Sequence, residues 1–225
     1  MTLLAPQEAY RLWASTYSTE NVITHLEQRL VRNLGQSPVG LRLLDVGCGT
    51  GRRLVDTGAA CAVGVDLSPE MLAAGLREFA FGPQVQLQVG DARSLPLPDG
   101  AFDLVWCRLM IGHLGECRQA YLELGRVVRA GGHVVVTDFH PCAYDAGLRR
   151  TFRHESTTHE VVHHVHRVDE QIAAAREAGL ALTCRADATI GRDVRSFYMA
   201  AGKEAAYEEQ RGRPMVLALA FRRDA

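Results

Sequence analysis

Asp45-Val46-Gly47-Cys48-Gly49-Thr50-Gly51 follows directly on an apolar run, Leu41–Val46, and its reading decides the fold. Glycines at alternate positions after a strand let the backbone turn tightly and approach a ligand closely. A helix expected after them would offer free N–H groups to a negative group. A dinucleotide loop wants its third glycine one residue later, where Arg52 stands, so the spacing argues against NAD and for a ligand without a pyrophosphate. Working outward, Asp66 closes the next apolar run, where a carboxylate accepts both hydroxyls of a ribose. Asp91, in Gly90-Asp91-Ala92, closes a third, where a side chain meets an adenine edge.

The runs Leu41–Val46, Cys61–Asp66, Val85–Val89, Phe102–Cys107 and His133–Asp138 are short and almost continuously apolar. Strands buried on both faces have this pattern, and alternation with helical stretches such as Pro69–Phe79 and Glu116–Val128 predicts a parallel sheet. Ser68-Pro69-Glu70 is a helix start: a capping hydroxyl, then proline, then an acid in the first turn. Gly131–Gly132 is expected to stop a helix before the fifth strand. A helix at Asp169–Ala178, a sixth run at Ala181–Cys184 and a last run at Met215–Phe221 complete the pattern. The first 35 residues read as helical, with Pro6 in a first turn and Val22, Leu26, Leu30 and Leu34 at fourfold spacing. The expected fold is one doubly wound α/β domain over 1–225, with a helical lid at 1–35. Residues 141–167 fall outside the winding. Three glycine or acid features then end three successive strands on the carboxyl edge, where open α/β sheets bind ligands.

Composition narrows the function. The 225 residues are 47% hydrophobic, enough for a real core, and 25 basic against 26 acidic residues leave a net charge of −1. That balance gives no electrostatic footprint for nucleic acid or an acidic membrane. The six cysteines (Cys48, Cys61, Cys107, Cys117, Cys142, Cys184) are scattered without a CxxC pair and read as reduced packing thiols in a cytoplasmic protein. The opening MTLLAPQEAY lacks the basic segment of a signal peptide, and no apolar stretch approaches the ~20 residues of a membrane span.

LLDVGCGTG (43–51), VGVDLSPEML (63–72), GDARSLPLPDGAFDLV (90–105) and LGRVVRAGGHVVVTD (124–138) resemble, in order, the motifs of class I S-adenosylmethionine-dependent methyltransferases. More narrowly, they resemble the branch containing ubiquinone and menaquinone biosynthesis enzymes. The resemblance implies S-adenosylmethionine as cofactor and a seven-stranded Rossmann-like sheet whose last strand is antiparallel. It also implies an acceptor that is a small molecule, free or carrier-bound, and a homodimer is the oligomer considered. Carried over residue by residue, Gly47, Cys48, Gly49 and Gly51 would face the methionine moiety, with Asp45 near its amino group. Asp66 would bind the ribose, Leu67 and Met71 would flank the adenine, and Asp91 and Ala92 would read its edge. Cys107 and Arg108 would lie beside the sulfonium. Tyr10, Trp13 and Tyr17 recur at helical spacing, and similar aromatic openings in the family imply a lid in which Tyr17 touches the cofactor while Tyr10 and Trp13 face the substrate.

Methyl transfer from a sulfonium needs alignment and, for a hydroxyl or protonated amine, a base. His140 and His113, beside the fourth and fifth strand ends, are the candidates, since imidazole titrates near neutrality. Residues 159–163, His-Glu-Val-Val-His, match HExxH, but that chemistry needs a helix, and the β-branched surroundings favour a strand. Along a strand two such histidines stand about 13 Å apart, at roughly 3.3 Å per residue. A β-hairpin of Thr151–Arg153 against Glu160–His164 is expected to cover the acceptor, bringing Arg153, His159 and His163 to the substrate, with no metal. The alternatives weighed against a methyltransferase are a non-catalytic S-adenosylmethionine-binding scaffold and a zinc hydrolase built on His159 and His163.

Overall fold

The computed structural model describes residues 2–14 and 16–224; residues 1, 15 and 225, which fall in the expected lid and at the ends of the expected domain, lie outside the described residues. In chain order the elements are β1 (Thr2–Leu4), α1 (Pro6–Trp13), α2 (Val22–Asn33), β2 (Arg42–Val46), β3 (Cys61–Asp66), α3 (Pro69–Glu78), β4 (Val85–Val89) and β5 (Phe102–Arg108). There follow α4 (Arg118–Val127), β6 (Val128–Phe139), α5 (Pro141–Asp145), β7 (Thr151–His154), β8 (Thr157–Val161), α6 (Val168–Glu177), β9 (Leu180–Thr189), α7 (Arg195–Ala200), α8 (Glu204–Gln210) and β10 (Pro214–Arg223). Short 3-10 turns sit at Arg52–Leu54, Ile111–His113 and Arg192–Val194.

Seven strands form the main sheet in the order β4-β3-β2-β5-β6-β10-β9. The pairs from β4 through β6 are parallel, and β10 enters antiparallel between β6 and β9, as expected of the last strand. The order reverses between β2 and β5, which opens a crevice at their carboxyl ends. Side chains alternate across the sheet. Leu44, Val46, Val105, Cys107, Val134 and Val136 pack with Tyr121 and Leu124 of α4 on one face. Leu43, Leu104, Trp106 and Val135 meet Val31 of α2 on the other. Leu26 and Leu30 of α2 reach further, onto Val216 and Ala218 of β10 and Tyr207 of α8. Each large apolar side chain buried in this way contributes roughly 1.5–3 kcal/mol. The start of α2 is fixed by a reciprocal cap, in which Thr24 N–H donates to Asn21 Oδ1 at 3.1 Å and Asn21 N–H to Thr24 Oγ1 at 2.9 Å.

Five sequence expectations change. The chain opens as a strand, because Thr2–Leu4 pair in parallel with His159–Val161 of β8; only from Pro6 is it helical. No α-helix follows the glycine loop. A single 3-10 turn, Arg52–Leu54, is cut short by Asp56 (φ 51) and Gly58 (φ 70), which turn the chain back to β3. α4 ends at Val127, and Gly131–Gly132 lie inside the first, irregular part of β6. The second arm of the hairpin forms three residues earlier than expected, at Thr157–Val161 instead of Glu160–His164, with Phe152 opposite His159. α5, α7 and α8 are short helices that apolar periodicity did not reveal.

The opening strand and the 141–167 segment therefore build one cap. β1, β8 and β7 form a three-stranded sheet, and Leu4, Ala9, Phe152 and Val161 pack beneath it together with α1. No helix among the described residues is long and apolar enough to cross a membrane.

Candidate active site

The loop after β2 is held from below. Gly47 and Cys48 N–H both donate to Val65 O, at 2.8 and 3.1 Å, and Gly49 N–H donates to Asp66 Oδ2 at 2.7 Å. Gly47 and Gly49 have φ of 71 and 60, conformations that favour glycine. A Cβ on Gly47 would fall inside the Met110 side chain. Met110 is placed there by Leu109, whose positive φ of 57 is unusual for a branched residue and turns the chain sharply after β5. That turn is fixed by Leu109 N–H, which donates to Thr137 O (2.9 Å) and Thr137 Oγ1 (3.0 Å).

Around this loop lies a cleft of about 780 Å³, counting its open mouth. Gly47, Gly49, Asp66, Leu67, Met71, Asp91, Ala92, Arg108, Tyr10, Tyr17 and His113 all line it, so the structure gathers most of the residues singled out in the sequence. Pro6, Gln7, Ser68, Leu109, Met110 and Leu114 line it as well and were not foreseen. Asp66 is fixed at the rim, its Oδ1 accepting from Ser68 N–H at 2.9 Å, and burial raises its pKa. Asp91 is gripped by Arg93 at 2.6–3.1 Å, which lowers its pKa. The Arg108 guanidinium points away and forms a bidentate pair with Glu27, at 2.7 and 2.8 Å.

Asp45 lies beneath the loop, 0% exposed, with neither carboxylate oxygen hydrogen-bonded, and burial pushes it up to about 6 against the pull of Arg53 and Arg108. Cys48, Gly51 and Cys107 also lie outside the lining. Cys48 and Cys107 are buried in the packing, and Gly51 is backed by Leu87 and Phe81.

The opposite wall carries a polar cluster. Tyr10 Oη and His113 Nε2 are 2.7 Å apart. Arg150 Nη2 donates to Tyr10 Oη (3.3 Å), and its Nη1 reaches His113 Nε2 (3.3 Å) and Leu109 O (2.9 Å). A guanidinium only donates, so Nε2 is the unprotonated nitrogen of a neutral imidazole. Burial, then the Arg150 charge, holds His113 well below the usual histidine range; burial also raises the Tyr10 hydroxyl. Behind His113 stands His163, ring centres 6.0 Å apart, and His163 Nε2 is 3.7 Å from the buried Asp138, which burial pushes up to about 7.

Several expected residues are elsewhere. His140 caps α5, its Nδ1 accepting from Cys142 N–H at 3.1 Å while its Nε2 faces Asp187 at 3.5 Å, and it does not line the cleft. Trp13 stacks on Phe152 (4.8 Å), and His159 stacks on the same ring (5.3 Å), so both are spent on packing the cap. Phe152 faces inward on β7, which turns the adjacent Arg153 outward to solvent. His163 stands one layer behind the lining. The HExxH residues run along β8 and past its end, not on a helix. Arg150, in contrast, was missed because nothing in Arg149-Arg150 distinguishes it from a solvated surface pair.

A parallel sheet with a glycine loop and acids at three consecutive strand ends defines a nucleoside-binding α/β protein, and comparison with known proteins makes the class specific. Residues 44–136 match the family model described as a methyltransferase domain. Phosphatidylethanolamine N-methyltransferase of Cereibacter sphaeroides is 34% identical over 143 residues, 61% of this chain and 70% of that protein. 27-O-demethylrifamycin SV methyltransferase of Amycolatopsis mediterranei is 31% identical over 169 residues, 72% of this chain but 61% of that protein's length. The crystal structure of an S-adenosylmethionine-dependent methyltransferase from Mesorhizobium loti superposes with a TM-score of 0.67 at 22% identity, over 88% of this chain and 98% of that one. The chain belongs to the S-adenosylmethionine-dependent methyltransferases. Its cleft fits that cofactor: Asp66 presents a carboxylate at the rim, Gly47 has room for no side chain and Gly49 little, and the buried carboxylate of Asp45 lies beneath the loop without a hydrogen-bond partner.

Proposed function

We propose that the protein methylates a hydroxyl group of a small molecule, free or tethered to a carrier, held between the cleft and the cap. The observation that carries this reading is the Tyr10–His113–Arg150 cluster, which closes the cleft opposite Asp66. S-adenosylmethionine supplies an electrophilic methyl group, for which no metal is required. Asp66 would accept from the ribose hydroxyls, the buried Asp45 would act on the methionine ammonium from beneath the glycine loop, and Leu67, Met71 and Ala92 would enclose the adenine. On the acceptor side, the hydroxyl would give its proton to Tyr10 Oη as the oxygen is methylated, while Tyr10 passes its own proton to Nε2 of neutral His113. Arg150 would stabilise negative charge on the acceptor oxygen. Holding nucleophile and methyl in line supplies roughly 7–11 kcal/mol of the barrier reduction in favourable cases. The cap contributes Tyr10 directly and would exclude water from the bound acceptor.

The test is calorimetry with S-adenosylhomocysteine, followed by turnover with S-adenosylmethionine and a panel of phenols, enols and aliphatic alcohols. The expected result is micromolar binding and a methyl ether product identified by mass. Absence of cofactor binding rejects the assignment. A product methylated on nitrogen or carbon rejects the hydroxyl acceptor alone.

A further inference from the structure

A second cavity lies on the far side of the glycine loop. Its volume is about 1350 Å³, counting its mouth, and it is bounded by α2, residues 35–38, the 3-10 turn at Arg52–Leu54 and β5. It exists because the connection from β2 to β3 makes one 3-10 turn where the sequence pattern called for a helix. That leaves the sheet face between α2 and β5 incompletely covered.

The lining is polar and cationic. Arg32, Arg52, Arg53 and Arg108 contribute four positive charges against Glu20 and Glu27. Glu27 is already committed, with both oxygens accepting from Arg108 (2.7 and 2.8 Å) and one from Thr137 Oγ1 (3.0 Å). Arg53 Nη2 stands 3.6 Å from Glu27 Oε2, within ion-pair range but beyond a hydrogen bond, and the Arg53 side chain is only 10% exposed. Trp106 is 5% exposed, and its Nε1–H has no hydrogen-bond partner. Two buried donors that make no hydrogen bond, one ion-paired at a distance and one with no partner, on the wall of a cavity with excess positive charge, are costly unless something supplies oxygen atoms. Both groups donate only, so the complementary ligand must bring acceptors, and the arginines select an anion.

We infer that this cavity is a second binding site, distinct from the cofactor cleft, for a small molecule carrying a carboxylate or phosphate group. Arg53 and Trp106 Nε1 form its floor and Arg32 its exposed rim. The two sites share only Arg108 in their linings, and that guanidinium is held by Glu27. Occupants of the two sites therefore need not compete.

The full chain is saturated with S-adenosylhomocysteine and titrated separately with inorganic phosphate and with succinate. Calorimetry is one readout. Fluorescence of a Trp13→Phe variant, in which Trp106 is the sole tryptophan, is the other. The expected result is submillimolar binding of at least one anion with a change in Trp106 emission, weakened at least tenfold in Arg53→Met. Trp106→Phe keeps the ring and removes the donor, and it should weaken binding severalfold even if Arg53→Met fails to fold. Phosphate binding alone identifies a phosphate-bearing ligand, and succinate alone a carboxylate. Binding of neither overturns the inference. So does binding seen only in a parallel titration of the cofactor-free chain, which would mark the arginines as part of the cofactor site.

Discussion

Asp66 holds two backbone N–H groups with its two oxygens and still presents free lone pairs to the cleft. Charge-assisted hydrogen bonds of this kind contribute about 1.5–3 kcal/mol each. Asp66→Ala should therefore weaken cofactor binding by at least tenfold, since it removes the ribose acceptor and loosens Gly49 together. Unchanged affinity in calorimetry would remove Asp66 from the site. On the acceptor side, His113→Ala should lower kcat by on the order of 10²–10⁴-fold, the usual cost of losing a general base. His140→Ala should leave kcat within a few fold and cost about 1 kcal/mol of stability, as loss of an N-cap does. Because burial holds His113 well below the usual histidine range, its titration should impose no rise in rate across that range. A kcat profile rising with a midpoint near 6.5 that survives in His113→Ala and vanishes in His140→Ala would reverse the two roles.

The hairpin is where the sequence looked most like something else. His159 and His163 are pinned by different neighbours, one against Phe152 and the other between Gly112 and Asp138. Methyl transfer should accordingly persist in EDTA, and loss of activity restored by one equivalent of zinc would refute that expectation. Element by element, legibility followed how local the cause was. β3 and β4 were read to the residue, and α3 to within one, because a buried parallel strand needs a continuous apolar run and Ser68-Pro69-Glu70 encodes its own helix start. β1 was read as helix because three residues carry no periodicity, and their state is set by β8 far along the chain. The missing helix after Gly51 was illegible for a similar reason: Arg52-Arg53-Leu54 suits a helix, and only the turn at Asp56 and Gly58 cuts it off. The wall of the cleft made of strand ends was largely visible, since Gly47, Gly49, Asp66 and Asp91 all line it. The opposite wall depends on Arg150, Leu109 and Met110, which packing between distant segments brings to the cleft.

Across the whole molecule, buried carboxylates pull stability in opposite directions with pH. Burial alone would raise Glu27, but Arg108 and Arg53 outweigh it and hold it at about 2, below the ordinary 4.5. A depressed acid stabilises above its unfolded pKa, so this contribution, on the order of 3 kcal/mol, is lost as pH falls from about 4.5 towards 2. Asp45 and Asp138 behave oppositely. Burial raises them to about 6 and about 7 from 3.8, so the folded state keeps protons that the unfolded state has released, and stability declines as pH rises through that window. Without cofactor, the melting temperature should peak near pH 4–5 and fall towards pH 8. Asp45→Asn should raise it at pH 8 while weakening the cofactor. If Asp45→Asn lowers it there, the carboxylate is not strained in the free protein.

The three-residue ladder of β1 on β8 joins the first described residues to the far arm of the hairpin, with Thr2 opposite His159 and Leu4 opposite Val161. A connection so long in sequence and so short in space closes late in folding and opens early, because the chain entropy it restrains is large and the pairing it gains is small. The cap should then behave as a separate cooperative unit. Its amides at Val161 and Val162, which donate to Arg150 O and Leu4 O, should exchange with deuterium far sooner than those of β5 and β6. Tyr10 rides on that unit while His113 stays with the sheet. Each opening of the latch should therefore part Tyr10 from His113, and if product leaves by that route the rate of unlatching would set an upper limit on its release.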